Sequence, residues 1–275
     1  MSSIARKLRR ENKTIGFVPT MGALHEGHLT LVKEARQMSE IVIVSVFVNP
    51  SQFGRGEDFE KYPRDLTDDA ALLTEYEVDY IFAPETQEIY VEGFSTYVYV
   101  EGLTETLEGA SRPGHFRGVA TVITILFNTI RPDFAFFGRK DAQQVGVVKK
   151  LTRDLGFETE IVVVPTVREE SGLAMSSRNA YLSAEEREKA PIMYRALREA
   201  KIAFKNGERN ASKLAQIVQE KIESEPAARI DYVAVVDNDA LEPLEKIEDA
   251  EVLVAVAVRF GKVRLIDNIL LNRRQ

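Results

Sequence analysis

FVPTMGALHEGHLTLVKEAR, residues 17 to 36, is the stretch whose reading decides the fold. An apolar run, Ile15 to Val18, leads into it, and Pro19 and Gly22 break that run. After His25-Glu26-Gly27-His28 a helical pattern begins at once, with Leu31, Val32, Ala35 and Met38 on one face. The pattern predicts a strand, a tight turn and a helix whose first turn carries two histidines. A helix N-terminus has backbone N–H groups without intrahelical partners and a partial positive charge, so phosphates settle there. Glycines at 22 and 27 allow the backbone close to a ligand. His25 and His28, three apart, share a face and can donate to phosphate oxygens. The chain has three histidines and no cysteine, and no HExxH spacing, so a zinc set is not indicated.

The rest of the composition narrows the class. With 275 residues, 44% of them hydrophobic, the chain can build one large domain or two modest ones. There is no apolar run of ~18 residues, hence no expected membrane span. The basic start, MSSIARKLRRENK, lacks an apolar core segment and reads as a short surface helix, not a secretory signal. Absence of cysteine excludes disulfides and thiolate chemistry and makes a cytoplasmic protein the simple expectation. A net charge of −7, with basic residues gathered in glycine-containing loops, suits a small anionic ligand better than a nucleic acid.

Further along, Ile41 to Val48 (IVIVSVFV) is apolar on both faces, as a central parallel strand should be. It ends in Asn49-Pro50-Ser51-Gln52-Phe53. Ligands of open α/β sheets bind beyond the carboxyl ends of strands, so Asn49 and Gln52 can meet a polar substrate; an Asx turn around Pro50 is the alternative. Gly54 to Pro63 is a polar loop long enough to act as a lid. A helix over Arg64 to Tyr76 follows, with Asp65, Asp68 and Asp69 near its start. These acids are dipole partners, or Asp68 and Asp69 hold Mg²⁺ beside a triphosphate, directly or through water. Val78 to Ala83 reads as a strand and Tyr97 to Val100 as a short extra one. Ser111 to Gly118 (SRPGHFRG), with Arg112, Arg117, one His and two Gly, resembles a carboxylate or phosphate clamp, or else a solvated loop. Val119 to Ile130 reads as a helix. Phe134 to Phe137 is a further strand, running into Gly138-Arg139-Lys140-Asp141 and a helix over Ala142 to Leu155, with Gln144 one turn in. The strand Glu160 to Val164 leads to Val167 and to Met175-Ser176-Ser177-Arg178, two hydroxyls and a cation in a phosphate-binding type of loop. Beyond it, Ser183 and Glu186 form a capping box. Helices over 184–206, interrupted near Pro191, and Ser212 to Glu223 precede three strands, Arg229 to Val236, Val252 to Val258 and Val263 to Leu270.

HxGH after a first strand resembles the signature of the HIGH-type nucleotidyltransferases. The strings PTMGALHEGHL, NPSQF, RPGHF, GRKDAQQ and MSSRN, in that order, resemble the pantoate–β-alanine ligase family. Departures are Ile125, where Lys is frequent, Arg139, where Glu is common, and Ser171, often Asp. The resemblance implies a Rossmann-like parallel-sheet α/β domain, residues 1–170, and a smaller C-terminal α+β lid domain, residues 171–275. It implies ATP-dependent joining of pantoate to β-alanine through pantoyl adenylate, with Mg²⁺ and as a homodimer, and no nucleic-acid or membrane partner. Catalytic roles then fall to His28 as proton donor and to His25, Lys140, Ser176, Ser177 and Arg178. ATP contacts fall to Met21, Gly22, Ala23, Leu24, His25, Glu26, Gly27, His28, Gly138, Arg139, Lys140, Asp141, Val167 and Met175 to Arg178. Pantoate contacts fall to Gln52 and Gln144, with Asn49 and Arg112 as further substrate-binding candidates. An adenylyltransferase for a phosphorylated molecule is the nearest alternative; Gln52 and Gln144 suit a neutral polyol better than a phosphate.

Overall fold

A computed structural model describes residues 1–54, 56–57, 59–248 and 251–272. The elements in chain order are α1 (Ser2–Arg10), β1 (Ile15–Thr20), α2 (Glu26–Met38), β2 (Ile41–Val46), α3 (Leu66–Glu75), β3 (Tyr80–Phe82), α4 (Thr86–Ile89), α5 (Leu107–Ser111), α6 (His115–Ile130), β4 (Phe134–Gly138), α7 (Ala142–Asp154), β5 (Glu160–Val164), α8 (Ala184–Lys189), α9 (Ile192–Lys205), α10 (Ala211–Glu223), β6 (Ala228–Asp237), β7 (Val252–Phe260) and β8 (Val263–Leu271). They form two compact units. One is Met1–Arg139 with Gln143–Pro165; the other is Lys140–Ala142 with Thr166–Gln275. The chain therefore passes from one unit to the other within the loop after β4 as well as after β5.

In the first unit five strands pair in parallel in the order β3-β2-β1-β4-β5. The strands read as nearly unbroken apolar runs because helices cover the faces of such a sheet. Val42, Val44, Val18 and Phe136 pack with Leu31, Val32 and Ala35 of α2 and Leu73 of α3. Phe17 meets Phe127 of α6 edge-to-face. Strand order reverses between β1 and β4, so the loops leaving their carboxyl ends flank the place where ligands of open α/β sheets bind.

The second unit is an antiparallel sheet, β6-β7-β8, with a register shift between Ile230 and Tyr232. Its central strand, β7, is buried almost end to end. Val252, Val254, Val256 and Val258 pack with Ala196, Leu197 and Ala200 of α9 and Leu214, Val218 and Ile222 of α10.

Two expectations need correction. No strand forms at residues 97–100. There the Val98 N–H donates to the Thr121 hydroxyl at 3.0 Å, and Tyr97 and Tyr99 stand exposed, so an alternating YVYV pattern lies along a helix instead of joining a sheet. The helix expected from Val119 begins at His115. Positions 55 and 58 of the expected lid loop lie outside the described residues.

Candidate active site

The loop after β1 starts with Thr20, whose hydroxyl donates to the Ser45 carbonyl at 2.7 Å and accepts the Gly22 N–H at 3.2 Å. Gly22 (φ +80°) and Ala23 (φ +51°) are both left-handed, a conformation that costs a residue with a β-carbon roughly 1–2 kcal/mol. The carboxylate that holds this turn is Asp69, buried at 4% exposure. Its two oxygens accept the N–H groups of Leu24 (2.8 Å) and Ala23 (3.1 Å). A β-carbon at Gly22 would stand 2.8 Å from one of them. Asp69 therefore binds the loop's backbone, while Asp68 beside it is exposed.

At the mouth of α2 the histidines cap the helix themselves. Gly27 N–H donates to His25 Nδ1 (3.1 Å), and His25 N–H donates to His28 Nδ1 (3.3 Å). The result is a reciprocal capping box, made by imidazoles in place of the usual hydroxyl and carboxylate. The rings lie 4.1 Å apart, tilted by 33°. In both, Nδ1 accepts, so the ring proton of each neutral imidazole sits on Nε2. The Gly27 N–H thus serves the cap of the helix.

The turn after β2 is a single 3₁₀ turn, Pro50–Gln52, capped by Asn49. Asn49 is 1% exposed. Its Oδ1 accepts from Ser51 N–H (3.2 Å) and the Tyr90 hydroxyl (2.7 Å), and its Nδ2 donates to the Gly118 carbonyl (3.1 Å). It forms the Asx turn that the sequence offered as the alternative reading. Arg112 is likewise engaged within the fold. It donates from Nε (2.9 Å) and Nη2 (2.7 Å) to Glu57, from Nη2 to the Gln52 carbonyl (3.1 Å), and from Nη1 to His115 Nε2 (3.1 Å). Burial pushes the Glu57 carboxyl up, but the hydrogen bonds and charge of Arg112 outweigh it and hold the group below the usual range. His115 is lowered to about 4, by burial first and by the Arg112 charge second.

The adjacent glutamines at the start of α7 divide their work. Gln143, buried, donates from Nε2 to the carbonyls of Leu103 (2.7 Å) and Thr106 (2.8 Å), and its Oε1 accepts the Glu108 N–H (2.9 Å). It ties residues 103–108 to the helix. Gln144, on the neighbouring face, is half-buried. A cavity of about 430 Å³ beyond β2 and β3 is bordered by Met21, Gly22, Phe47, Arg64, Asp69 and Glu85, and so abuts the β1 loop.

In the second unit Lys140 and Asp141 form a loose ion pair, 3.8 Å. Val167 and Met175 face each other across a tight hairpin, the Met175 N–H donating to the Val167 carbonyl at 3.0 Å. Ser171 Oγ accepts the Leu173 N–H at 3.3 Å, so this chain's serine at that position closes the hairpin turn. Ser176 caps the 3₁₀ turn Ser177–Tyr181 that carries Arg178. Two features were not foreseen. Arg168 pairs with Asp267 in a bidentate fork (2.7 and 2.9 Å) and lies 3.7 Å over the Tyr194 ring. Asn179, buried, donates to the Ala174 carbonyl (3.0 Å) and to Glu169 (3.1 Å). Asp267 offered a signal: an acid amid the apolar residues of a strand must find a cation if buried.

Comparison with known proteins agrees with this fold. A family model described as Pantoate-beta-alanine ligase matches residues 1–270. The pantothenate synthetase of Heliobacterium modesticaldum is 55% identical over 272 residues, covering 99% of this chain and 96% of that one. A crystal structure of pantothenate synthetase from Thermus thermophilus superposes with a TM-score of 0.91 at 51% identity, covering 96% of each chain. One of pantoate-beta-alanine ligase from Francisella tularensis, complexed with beta-gamma ATP and beta-alanine, gives 0.79 at 36% identity and covers 98% of this chain and 95% of that one. With a family model spanning almost its whole length and relatives more than half identical to it, the chain belongs to the pantoate–β-alanine ligase family.

Proposed function

We propose that the protein condenses pantoate with β-alanine at the expense of ATP, through a pantoyl-adenylate intermediate. A pantoate carboxylate oxygen attacks the α-phosphorus, and the bond from that phosphorus to pyrophosphate breaks. The amine of β-alanine then attacks the acyl carbon, the bond to AMP breaks, and the amine's proton is lost to solvent. Activation is needed because a carboxylate is a poor acyl donor, whereas AMP is a good leaving group. The observation that carries the reading is the pair of capping imidazoles, with Nε2 as the donor of each, on a loop at the reversal of strand order in a chain of this family.

His25 and His28 donate to the triphosphate as charge builds on the departing pyrophosphate. The backbone from Met21 to His28 lies along ATP. Gly138 and Arg139, then Lys140, Asp141, Val167, Met175, Ser176, Ser177 and Arg178, contribute further nucleotide contacts, a role that rests on the family likeness and on the donors each residue carries. Gln52 and Gln144 hold pantoate. Asp68 and Asp69 fit Mg²⁺: both are hard oxygen donors, and each Asp69 oxygen keeps a lone pair beyond its backbone bond, which suits an ion held largely through water and phosphate. When bound, the ion supplies positive charge to the triphosphate. The enzyme works as a homodimer in the cytoplasm, as the family likeness implies.

The test is a product assay with ATP, Mg²⁺, pantoate and β-alanine. AMP and pantothenate are expected in equal amounts. ADP as the nucleotide product would refute the reading, since it requires an acyl phosphate.

A further inference from the structure

The carbonyl of Gln52 receives two hydrogen bonds from residues 60 and 63 positions away, Arg112 Nη2 at 3.1 Å and His115 Nδ1 at 2.8 Å. We propose that Arg112 and His115 are positioning residues for substrate binding: they clamp the main chain at Gln52 and so aim its amide at pantoate. This rests on the reading that Gln52 contacts pantoate.

The chemistry of the clamp is closed. A carbonyl only accepts, so His115 Nδ1 carries a proton. A guanidinium only donates, so His115 Nε2 is the acceptor for Arg112 Nη1 at 3.1 Å. Neutral imidazole in its Nδ1–H form is the one state that satisfies both contacts. An imidazolium would turn an N–H against a guanidinium. Arg112 in turn is fixed by its fork to Glu57, so one planar group serves a carboxylate, a carbonyl and an imidazole together. Lysine, with a single point of charge, cannot serve all three.

The clamp acts on a turn already pressed against α6. A β-carbon at Gly118 would sit 2.3 Å from the Ser51 carbonyl oxygen, and Asn49 Nδ2 donates to the Gly118 carbonyl. The turn is therefore held on both sides of Gln52: at Asn49 and Ser51 by Gly118, and at its own carbonyl by residues 112 and 115. Loosening the second point lets the peptide after Gln52 rotate, which swings the side chain while the rest of the turn stays docked. A displacement of that kind weakens the ligand the amide holds and leaves the nucleotide loop after β1 untouched.

The experiment compares His115→Phe, which keeps a ring and removes both polar atoms, with His115→Gln, whose amide restores one donor and one acceptor, and with Arg112→Lys. KM for pantoate should rise about tenfold or more in His115→Phe and Arg112→Lys, the scale of one lost buried hydrogen bond, with KM for ATP within twofold. His115→Gln should recover most of the loss. Equal rises for both substrates, or no recovery with glutamine, would overturn the proposal. Should His115→Phe not fold, the glutamine variant and nitrogen-15 NMR of the unsubstituted enzyme decide. At pH 7 the His115 ring should show the proton on Nδ1, and a proton on Nε2 alone or a charged ring would contradict the clamp. Failure of the unsubstituted enzyme to turn over pantoate would refute the functional reading, while the NMR signature still reports on the clamp itself.

Discussion

The loop after β1 hangs on a carboxylate; the turn after β2 hangs on a guanidinium. Asp69 gathers two backbone N–H groups of the first, and Arg112 with His115 gathers a backbone carbonyl of the second. In each, the supporting side chain takes up main-chain polarity. What differs is the group each loop carries. On the proposed reading the first loop gives imidazole donors to phosphate oxygens, and the second gives an amide, which can both donate and accept, to a hydroxylated acid. The support in each case has the character that the backbone requires, independent of the ligand's charge. Arg112, marked in the sequence by its charge, holds the backbone of this turn.

The docking of the second turn should be the easiest part to break. Gly118→Ala forces a methyl group into a backbone oxygen that cannot swing aside, and should lower unfolding free energy in urea by about 3 kcal/mol or more. Unchanged stability would mean that α6 slides without cost. Next comes the first loop. Asp69→Ala leaves two part-buried N–H groups without their acceptor and should cost about 2–3 kcal/mol in thermal unfolding, along with loss of nucleotide binding by calorimetry. A variant that binds ATP normally would show that the left-handed turn at Gly22 and Ala23 holds itself.

The two loops should also part company in acid. His115 in the folded protein lies near 4, below its ordinary value of 6.5, because burial and Arg112 oppose its charge while the Gln52 carbonyl, Glu57 and Glu108 only partly favour it. Between these values the unfolded chain holds the extra proton, so stability contributed by the neutral ring is complete above about pH 7 and is lost as pH falls toward 4. The loss should reach about 2 kcal/mol after allowance for partial exposure. Comparison of His115→Gln with the unsubstituted protein isolates it, and parallel stability curves from pH 7 to pH 4.5 would remove His115 as the cause. The smallest effect separates the neighbouring glutamines. Gln143→Ala should destabilise the fold by about 1–2 kcal/mol. Gln144→Ala should leave unfolding unchanged and weaken pantoate binding more than ATP binding. The reverse pattern in calorimetry and melting would exchange their roles.

Periodicity made the parallel sheet legible, since strands buried on both faces and helices with one apolar face leave patterns of their own. The C-terminal strands were equally plain, and Ser183 with Glu186 formed the capping box that their spacing implied. What the sequence hid were pairings across distance. Nothing near Asp69 shows that its partners are the N–H groups of residues 23 and 24, and Arg168 meets Asp267 across 99 positions. Histidine is not a usual capping residue, so the box at His25 and His28 was invisible to rules built on serine, threonine and glutamate. Tyr97 to Val100 failed for the opposite reason. A strand-like alternation was present, but the Val98 N–H found a hydroxyl on α6 in place of a neighbouring strand.

The central claim is that the site activates a carboxylate by adenylation, with phosphate-facing donors on the β1 loop and a pantoate-facing amide on the β2 turn. Exchange of labelled pyrophosphate into ATP, measured with enzyme, Mg²⁺ and pantoate but no β-alanine, tests it most directly. Adenylation as a separate first step predicts exchange that requires pantoate and falls by about a hundredfold or more in His28→Ala, the usual cost of a lost donor to developing charge. Exchange that appears only once β-alanine is added, or none at all while the enzyme still makes pantothenate, would contradict it.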